Sequence, residues 1–356
     1  MVEPRVAATA SGPRAEGDAV TFALEDADRR LRGVRLEQDL GIPGDQLDFG
    51  YDEAAGRWVL SLPRPPVRRI EYRLQLLHAD GGVESVNDPA NATRAPGAFG
   101  EKSVLELPGY AAPAWTGQGR RWEQSIELRV PSRGGPIDVT VLSPERHTTR
   151  LLIAHDGPEY DRLAGLGVFA AAVVDDERVP PFHLALAHPG PRDQRYSANP
   201  GYGAALATRV IPALHKALRT TAPVVLMGAS LGGLAALHAQ RRHPNGIGGL
   251  FLQSGSFFVP EHDECESAFT YYRRVTRYVA SVHRADRAVA PVPAVLTCGV
   301  IEENVHNNRL MAATLRRQGY PAALHEVPDM HNFTAWRDAF DPYLVNLLNT
   351  VWGPDA

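Results

Sequence analysis

The pentapeptide Gly228-Ala229-Ser230-Leu231-Gly232 is where residue types and spacing first point to covalent chemistry. It follows the apolar run 223–227, which reads as a strand, and leads into a helical pattern over 231–242. A serine at a sharp strand-to-helix turn sits on strained backbone, and glycine on either side removes side chains that would collide there. The helix that follows aims its first amides at the charge developing on an attacked carbonyl oxygen. The chemistry implied is nucleophilic acyl transfer. The competing reading is a glycine-rich structural turn that happens to hold a serine, and the strand–helix setting favours the nucleophile.

Such a serine needs a base, and the base needs a carboxylate to orient it. Downstream lie His238, His243, His262, His283, His306, His325 and His331. His238 and His243 fall in and just after the helix behind the serine and are expected to face solvent. His325 lies within the last apolar run. His331, in Val327-Pro328-Asp329-Met330-His331-Asn332, follows that run and precedes the final helix. That loop belongs to the carboxyl edge of a sheet, where ligands bind, so His331 is the candidate base. The loop Gly299-Val300-Ile301-Glu302-Glu303-Asn304 supplies the acid. Glu302 is preferred over Glu303, and Asp329 is a third candidate, too close in sequence to His331 to reach its ring well.

These residues need a frame. From residue 151 onward, short apolar runs (151–154, 182–187, 224–227, 250–252, 294–298, 322–327) alternate with helical patterns near 161–175, 202–219, 231–242, 266–283 and 306–318. Trp336, Phe340, Leu344, Leu347 and Leu348 form one face of a terminal helix. The alternation predicts a mostly parallel sheet covered on both faces, and the chain order Ser, acid, His is that of an α/β-hydrolase. The first half has period two instead: Val20, Phe22 and Leu24, then Trp58, Leu60 and Leu62, then Ile70, Tyr72, Leu74 and Leu76. With Asp80-Gly81-Gly82 as a hairpin turn, this half reads as a small all-β sandwich. The expected organisation is a disordered 1–17, a sandwich over 18–112, a linker over 113–122 and an α/β-hydrolase catalytic domain over 123–356.

The formal net charge of −4 gives no reason to expect nucleic-acid binding. No apolar run approaches the ~18 residues of a membrane span, so no membrane partner is expected. The two cysteines, Cys265 and Cys298, cannot make a disulfide framework. The N-terminus lacks the apolar core of a signal peptide, so a cytoplasmic protein is expected, in which the sequon Asn91-Ala92-Thr93 carries no meaning. His262-Asp263-Glu264-Cys265-Glu266 is a metal-like cluster whose adjacent residues cannot all face one ion. No metal or cofactor is expected, and the oligomeric state is not legible.

Several segments together resemble the enterochelin esterase branch of the esterase D family: Leu151-Leu152-Ile153-Ala154-His155-Asp156-Gly157, Gly228 to Gly233, Gln253-Ser254-Gly255-Ser256-Phe257-Phe258, Gly299-Val300-Ile301-Glu302, and His331 with Trp336-Arg337. The first half is similar to the early-set immunoglobulin-like domain that precedes the hydrolase in those enzymes. Members hydrolyse esters of catecholate siderophores, including the cyclic triserine lactone, releasing iron. The resemblance implies Ser230 as nucleophile, His331 as base and Glu302 as acid, three positions after a glycine, with Asn308 also fitting the pattern. It implies oxyanion donors at Leu231 and in the Asp156–Glu159 turn, where the amide is that of Gly157 or Glu159. Two departures stand out: Pro158, which has no amide hydrogen, and Arg195 in Arg192-Asp193-Gln194-Arg195-Tyr196, where the family often carries an acid. Arg192, Arg195 and Tyr196 are expected to line the substrate site, the arginines meeting an anionic ligand. The expected activity is that of a serine esterase acting on a small-molecule ester such as a ferric siderophore. Its rivals are a feruloyl- or acetyl-type esterase with a glycan-binding module and a hydrolase-like binding protein without turnover.

Overall fold

The computed structural model describes residues 12–353. The chain divides into two compact units. One runs to Ala111 and takes in Pro328–Met330; the other comprises Ala112–Val327 and the residues from His331 onward.

Among the described residues the first unit holds nine strands: β1 (Arg14–Glu16), β2 (Ala19–Glu25), β3 (Leu31–Gln38), β4 (Gly50–Asp52), β5 (Arg57–Pro63), β6 (Arg69–His78), β7 (Val83–Val86), β8 (Arg94–Ala95) and β9 (Lys102–Glu106). They form an antiparallel sheet β1-β2-β5-β4 and a second, β3-β6-β9-β8, with β7 paired to β6. Alternation explains the sandwich. Val20, Phe22, Leu24, Trp58, Leu60 and Leu62 are buried from one sheet; Val34, Leu36, Ile70, Tyr72 and Leu74 are buried from the other. Phe22 meets Tyr72 edge-on at 4.8 Å across the interface. Part of the segment expected to be disordered is ordered: β1 pairs with β2, because Gly17, at φ 57°, turns the chain back on itself. Residues 1–11 of that segment lie outside the described residues. Within this unit Arg68 N donates to Pro328 O at 2.8 Å. Buried Arg69 reaches Asp329 at 2.9 Å and Glu71 at 3.2 Å.

The second unit contains β10 (Gln124–Val130), β11 (Ile137–Ser143), β12 (Leu151–His155), β13 (His183–Ala187), β14 (Val224–Ala229), β15 (Ile247–Gln253), β16 (Ala294–Gly299) and β17 (Ala322–Val327). Its helices are α1 (Gly157–Ala164), α2 (Leu166–Asp175), α3 (Arg192–Tyr196), α4 (Pro200–Ala205), α5 (Ile211–Leu218), α6 (Leu231–Arg242), α7 (Tyr272–Arg284), α8 (Val305–Arg317), α9 (Phe333–Asp338) and α10 (Val345–Trp352). One sheet runs β10-β11-β13-β12-β14-β15-β16-β17, antiparallel from β10 to β13 and parallel thereafter. This is the α/β-hydrolase sheet. Successive residues of β12 bury into opposite layers: Leu151 and Ile153 join the layer with α5 and α6, Leu152 and Ala154 the layer with α2 and α10.

Three departures from the sequence reading have local causes. The helix expected over 161–175 is two helices, because Gly165 adopts φ 63° between α1 and α2. His238, expected in solvent, is buried edge-on to Tyr278 at 4.8 Å, and burial pushes its pKa down to about 4. The segment expected as a plain linker carries Trp115, buried edge-on to Phe169 at 5.3 Å and stacked on Phe340 at 6.2 Å. Among the described residues no helix is long and apolar enough to cross a membrane.

Candidate active site

Parallel strands deliver their ends to one edge, and the chemistry-bearing residues follow those ends. β14 finishes at Ala229, and Ser230 turns the chain at φ 54°, ψ −122° before α6 begins. Such a backbone costs about 1–3 kcal/mol and persists only when its surroundings over-determine it. Here Ser230 N donates to Gln253 O at 2.9 Å, and Ser230 O accepts from Ser256 N at 3.1 Å. A Cβ on Gly228 would stand 2.5 Å from the Gly232 carbonyl carbon, so the turn admits only glycine there. The Ser230 hydroxyl lies 3.0 Å from the Ser256 hydroxyl. Among the described residues this is its hydrogen-bond partner in place of His331; catalytic hydrogen bonds often tighten only once substrate is bound.

His331 Nδ1 lies 2.8 Å from Glu302 Oε2. The Glu302 side chain is 2% exposed, against 39% for His331. Its other oxygen accepts from Gly299 N at 2.7 Å and from the Ser254 hydroxyl at 2.7 Å. Ser254 Oγ in turn accepts from Trp336 Nε1 at 3.0 Å, and the Trp336 ring stands edge-on to His331 at 5.1 Å. Asn304 Nδ2 donates to Ser254 O at 2.9 Å, and Asn308 bonds both ends of Gly255 at 3.0 Å. Packing around the imidazole works to lower its pKa. The hydrogen bond and charge of Glu302, helped by Glu303, outweigh this and raise it above the ordinary histidine value. With Nδ1–H donated to the carboxylate, Nε2 is the nitrogen free to take a proton. Glu303 is exposed, and Asp329 spends its carboxylate on Arg69 within the first unit.

Ala154 of β12 is in register with Met227 of β14. Beyond the paired residues, a Cβ on Gly232 of α6 would lie 3.2 Å from His155 Cβ and 3.4 Å from Asp156 Oδ2, so the turn before α1 runs beside the start of α6. Gly157 and Leu231 each open a helix, where no carbonyl of the helix can reach the first amides. Pro158, second in α1, adds no donor. A Cβ on Gly157 would come within 2.2 Å of Leu186 Cα.

The three residues expected to contact substrate divide differently. Arg192 holds Asp156 through Nε and Nη2 at 2.9–3.0 Å and remains 36% exposed on its side chain. Arg195 is buried, its guanidinium donating to the carbonyls of Pro189, Gly134, Gly135 and Pro136. Tyr196 is fully buried, its hydroxyl accepting from Asp156 N at 3.2 Å. Where substrate contacts were expected from Arg195 and Tyr196, the structure has Arg195 Nη1 and Nη2 and the Tyr196 hydroxyl holding the 134–136, 189 and 156 backbone. The metal-like loop is also a latch, with Asp263 accepting from Val259 N and Asn307 Nδ2; among the described residues no group of three His, Cys, Asp or Glu could hold a metal.

Residues 131–347 match the family model described as "Putative esterase". The chain belongs to this esterase family. It is a carboxylic ester hydrolase. No curated protein matches it significantly in sequence. The enterobactin esterase of Shigella flexneri, solved in the presence of enterobactin, superposes with a TM-score of 0.76 at 18% identity, covering 97% of each chain. The ferric enterobactin esterase of Salmonella typhimurium gives 0.75 at 20% identity, covering 94% of each. A ferulic acid esterase gives 0.53 at 17% identity, covering 65% of this chain and 99% of its own.

Sequence reasoning about this esterase missed Ser254, Ser256, Trp336 and Asn304 as parts of the site. Ser254, Ser256 and Trp336 stand in segments that carried the family resemblance without being given a role; Ser254 follows β15 as Ser230 follows β14, so it reaches the same edge.

Proposed function

We propose that this esterase works through an acyl-enzyme on Ser230. His331 Nε2 takes the hydroxyl proton as Ser230 Oγ attacks the ester carbonyl carbon, and the carbonyl oxygen becomes the oxyanion between the Leu231 and Gly157 amides. The intermediate expels the alcohol, which receives the proton from His331. Water then attacks the acyl carbon with His331 again as base, releasing the acid and regenerating Ser230. Glu302 holds the imidazole in the required tautomer throughout. The observation that carries this reading is the His331–Glu302 hydrogen bond of 2.8 Å at the same sheet edge as the strained Ser230 turn.

For the substrate we propose a catecholate siderophore or a related cyclic ester. The support is the full-length likeness to two enterobactin esterases, which includes the sandwich, whereas the ferulic acid esterase likeness covers only 65% of this chain. Arg192 is the remaining guanidinium to meet an anionic group, with part of its charge already met by Asp156. Both cysteines are free, which suits the reducing cytoplasm as the proposed compartment.

Ser230→Ala should cut p-nitrophenyl ester turnover by about 10⁴–10⁶ and abolish fluorophosphonate labelling of the peptide around Ser230. Turnover above a tenth of wild type refutes the mechanism. Comparing kcat/KM for a ferric tricatecholate trilactone, its iron-free form, a feruloylated sugar and a medium-chain lipid ester tests the substrate. A sugar or lipid ester preferred by more than about tenfold, ~1.4 kcal/mol of transition-state binding, overturns the siderophore reading and leaves the mechanism standing.

A further inference from the structure

Arg195 presents an unbalanced charge. Its side chain is nine-tenths buried, and among the described residues no carboxylate lies within ion-pair distance. The four carbonyls that accept from Nη1 and Nη2 satisfy N–H groups but carry no net charge. Among the described residues nothing accepts from its Nε. Burying a cation without a counter-charge is costly, and such groups are ordinarily paired.

The chain has shaped itself to this guanidinium. Gly190 adopts φ 58°, and a Cβ there would lie 2.4 Å from Arg195 Nη1. Gly135, at φ 88°, leaves its carbonyl on Nη2. On the open side, Arg195 lines a cavity of about 350 Å³, at the small end of ligand pockets. Arg133, from the turn between β10 and β11, and Arg209, from the turn of helix joining α4 to α5, stand on its rim. Ser132, Gln194 and Asn199 add neutral polar groups, and no carboxylate lines it. Arg133 and Arg209 are exposed and have no ion-pair partner among the described residues. Three arginines therefore line one cavity that no acid lines. Neither Ser230, Glu302 nor His331 lines that cavity.

We propose that this cavity is a second binding site, separate from the ester-cleaving one, for a compact polyanion bearing carboxylate or phosphate groups. The ligand supplies the counter-charge that Arg195 lacks, and Arg133 and Arg209 close on it from the rim, guanidinium being suited to both oxyanions.

The test is calorimetric titration of the full chain at low salt with citrate and, separately, inorganic phosphate. It is run on wild type, on Arg133→Gln/Arg209→Gln, and on wild type with Ser230 blocked by a fluorophosphonate. One saturable site is expected, weakened at least about tenfold in the double variant, as loss of charge-assisted contacts implies, and unchanged by the block. p-Nitrophenyl acetate turnover should be the same in the double variant as in wild type. Binding of citrate alone marks a carboxylate ligand, phosphate alone a phosphate ligand, and both a site that reads charge. Saturation by neither anion, equal affinity in the double variant, or loss of binding on blocking Ser230 overturns the proposal.

Discussion

Glu302 gives one oxygen to His331 and the other to two donors, Gly299 N and Ser254 Oγ. The two sides oppose each other. Donors on Oε1 stabilise the carboxylate and make it a weaker partner for the imidazolium, while its charge raises the His331 pKa. His331 must be neutral to act as base, so kcat/KM falls as pH drops through that raised pKa. Glu302→Gln removes the charge: turnover should fall about 10³–10⁴, and the acid limb should move to lower pH. Ser254→Ala removes one donor from Oε1 and leaves more of the carboxylate's charge to His331, so the limb should move to higher pH, with kcat reduced and KM little changed. Glu303→Gln should shift the limb only slightly. A pH–rate profile on a p-nitrophenyl ester checks all three, and limbs displaced in the same direction by the first two refute this account. Ser230, His331 and Glu302 were legible in the sequence as candidates, because each follows an apolar run at the ligand edge. Sequence was not enough for Ser254 and Trp336, which meet Glu302 through contacts between residues 48 and 82 positions apart. It did not show that Arg195 and Tyr196 are buried, because residue type in a polar loop does not say whether a guanidinium or hydroxyl turns inward.

Strand–turn–helix junctions do the positioning, and glycines at two of them are fixed by backbone rather than by side chains. The Cβ of alanine at 157 would press on the Cα and carbonyl carbon of Leu186 in β13. Main chain cannot give way as a rotamer can. Gly157→Ala should cost ~3 kcal/mol or more, beyond ordinary overpacking, and should slow phosphonylation of Ser230 by displacing the turn beside it. Gly246→Ala is the control: its φ is 82° but no atom lies within 4 Å of the new Cβ, so it should cost about 1 kcal/mol, the backbone penalty alone. Urea denaturation of both variants decides, and equal costs would mean that the close approach at Leu186 is relieved freely. At this scale the alternation of apolar runs and helical patterns was readable for every strand from β12 to β17. What escaped it were breaks made by single residues, such as Gly165 between α1 and α2, and a buried Trp115 inside a stretch whose Gly, Pro and Ala content reads as linker.

The change of rhythm along the chain marked two halves, but not that the chain returns to the first of them. Residues Pro328–Met330 group with the sandwich, and nothing in the composition of Val327-Pro328-Asp329 signals this, because the partner is a buried arginine some 260 residues earlier. Arg69 is 2% exposed and faces two carboxylates, Glu71 at 3% and Asp329 at 8% side-chain exposure. Burial raises the Glu71 pKa above its ordinary value, and the attraction of Arg69 offsets this only in part. Arg69→Met keeps the bulk and removes the charge, leaving two buried carboxylates without their shared cation. The cost of breaking such a pair is about 3–5 kcal/mol, read by urea denaturation near neutral pH. Its pH dependence follows from sign. A glutamate whose folded pKa lies above its unfolded value takes up a proton on folding, so stability rises as pH falls through the folded value. Without Arg69 that value climbs further. The deficit of Arg69→Met relative to wild type should therefore be largest at neutral pH and shrink as the medium is acidified towards the unfolded value near ~4.5. A deficit under ~1 kcal/mol, or one that does not change with pH, would show that Glu71 and Asp329 find other partners once the arginine is gone.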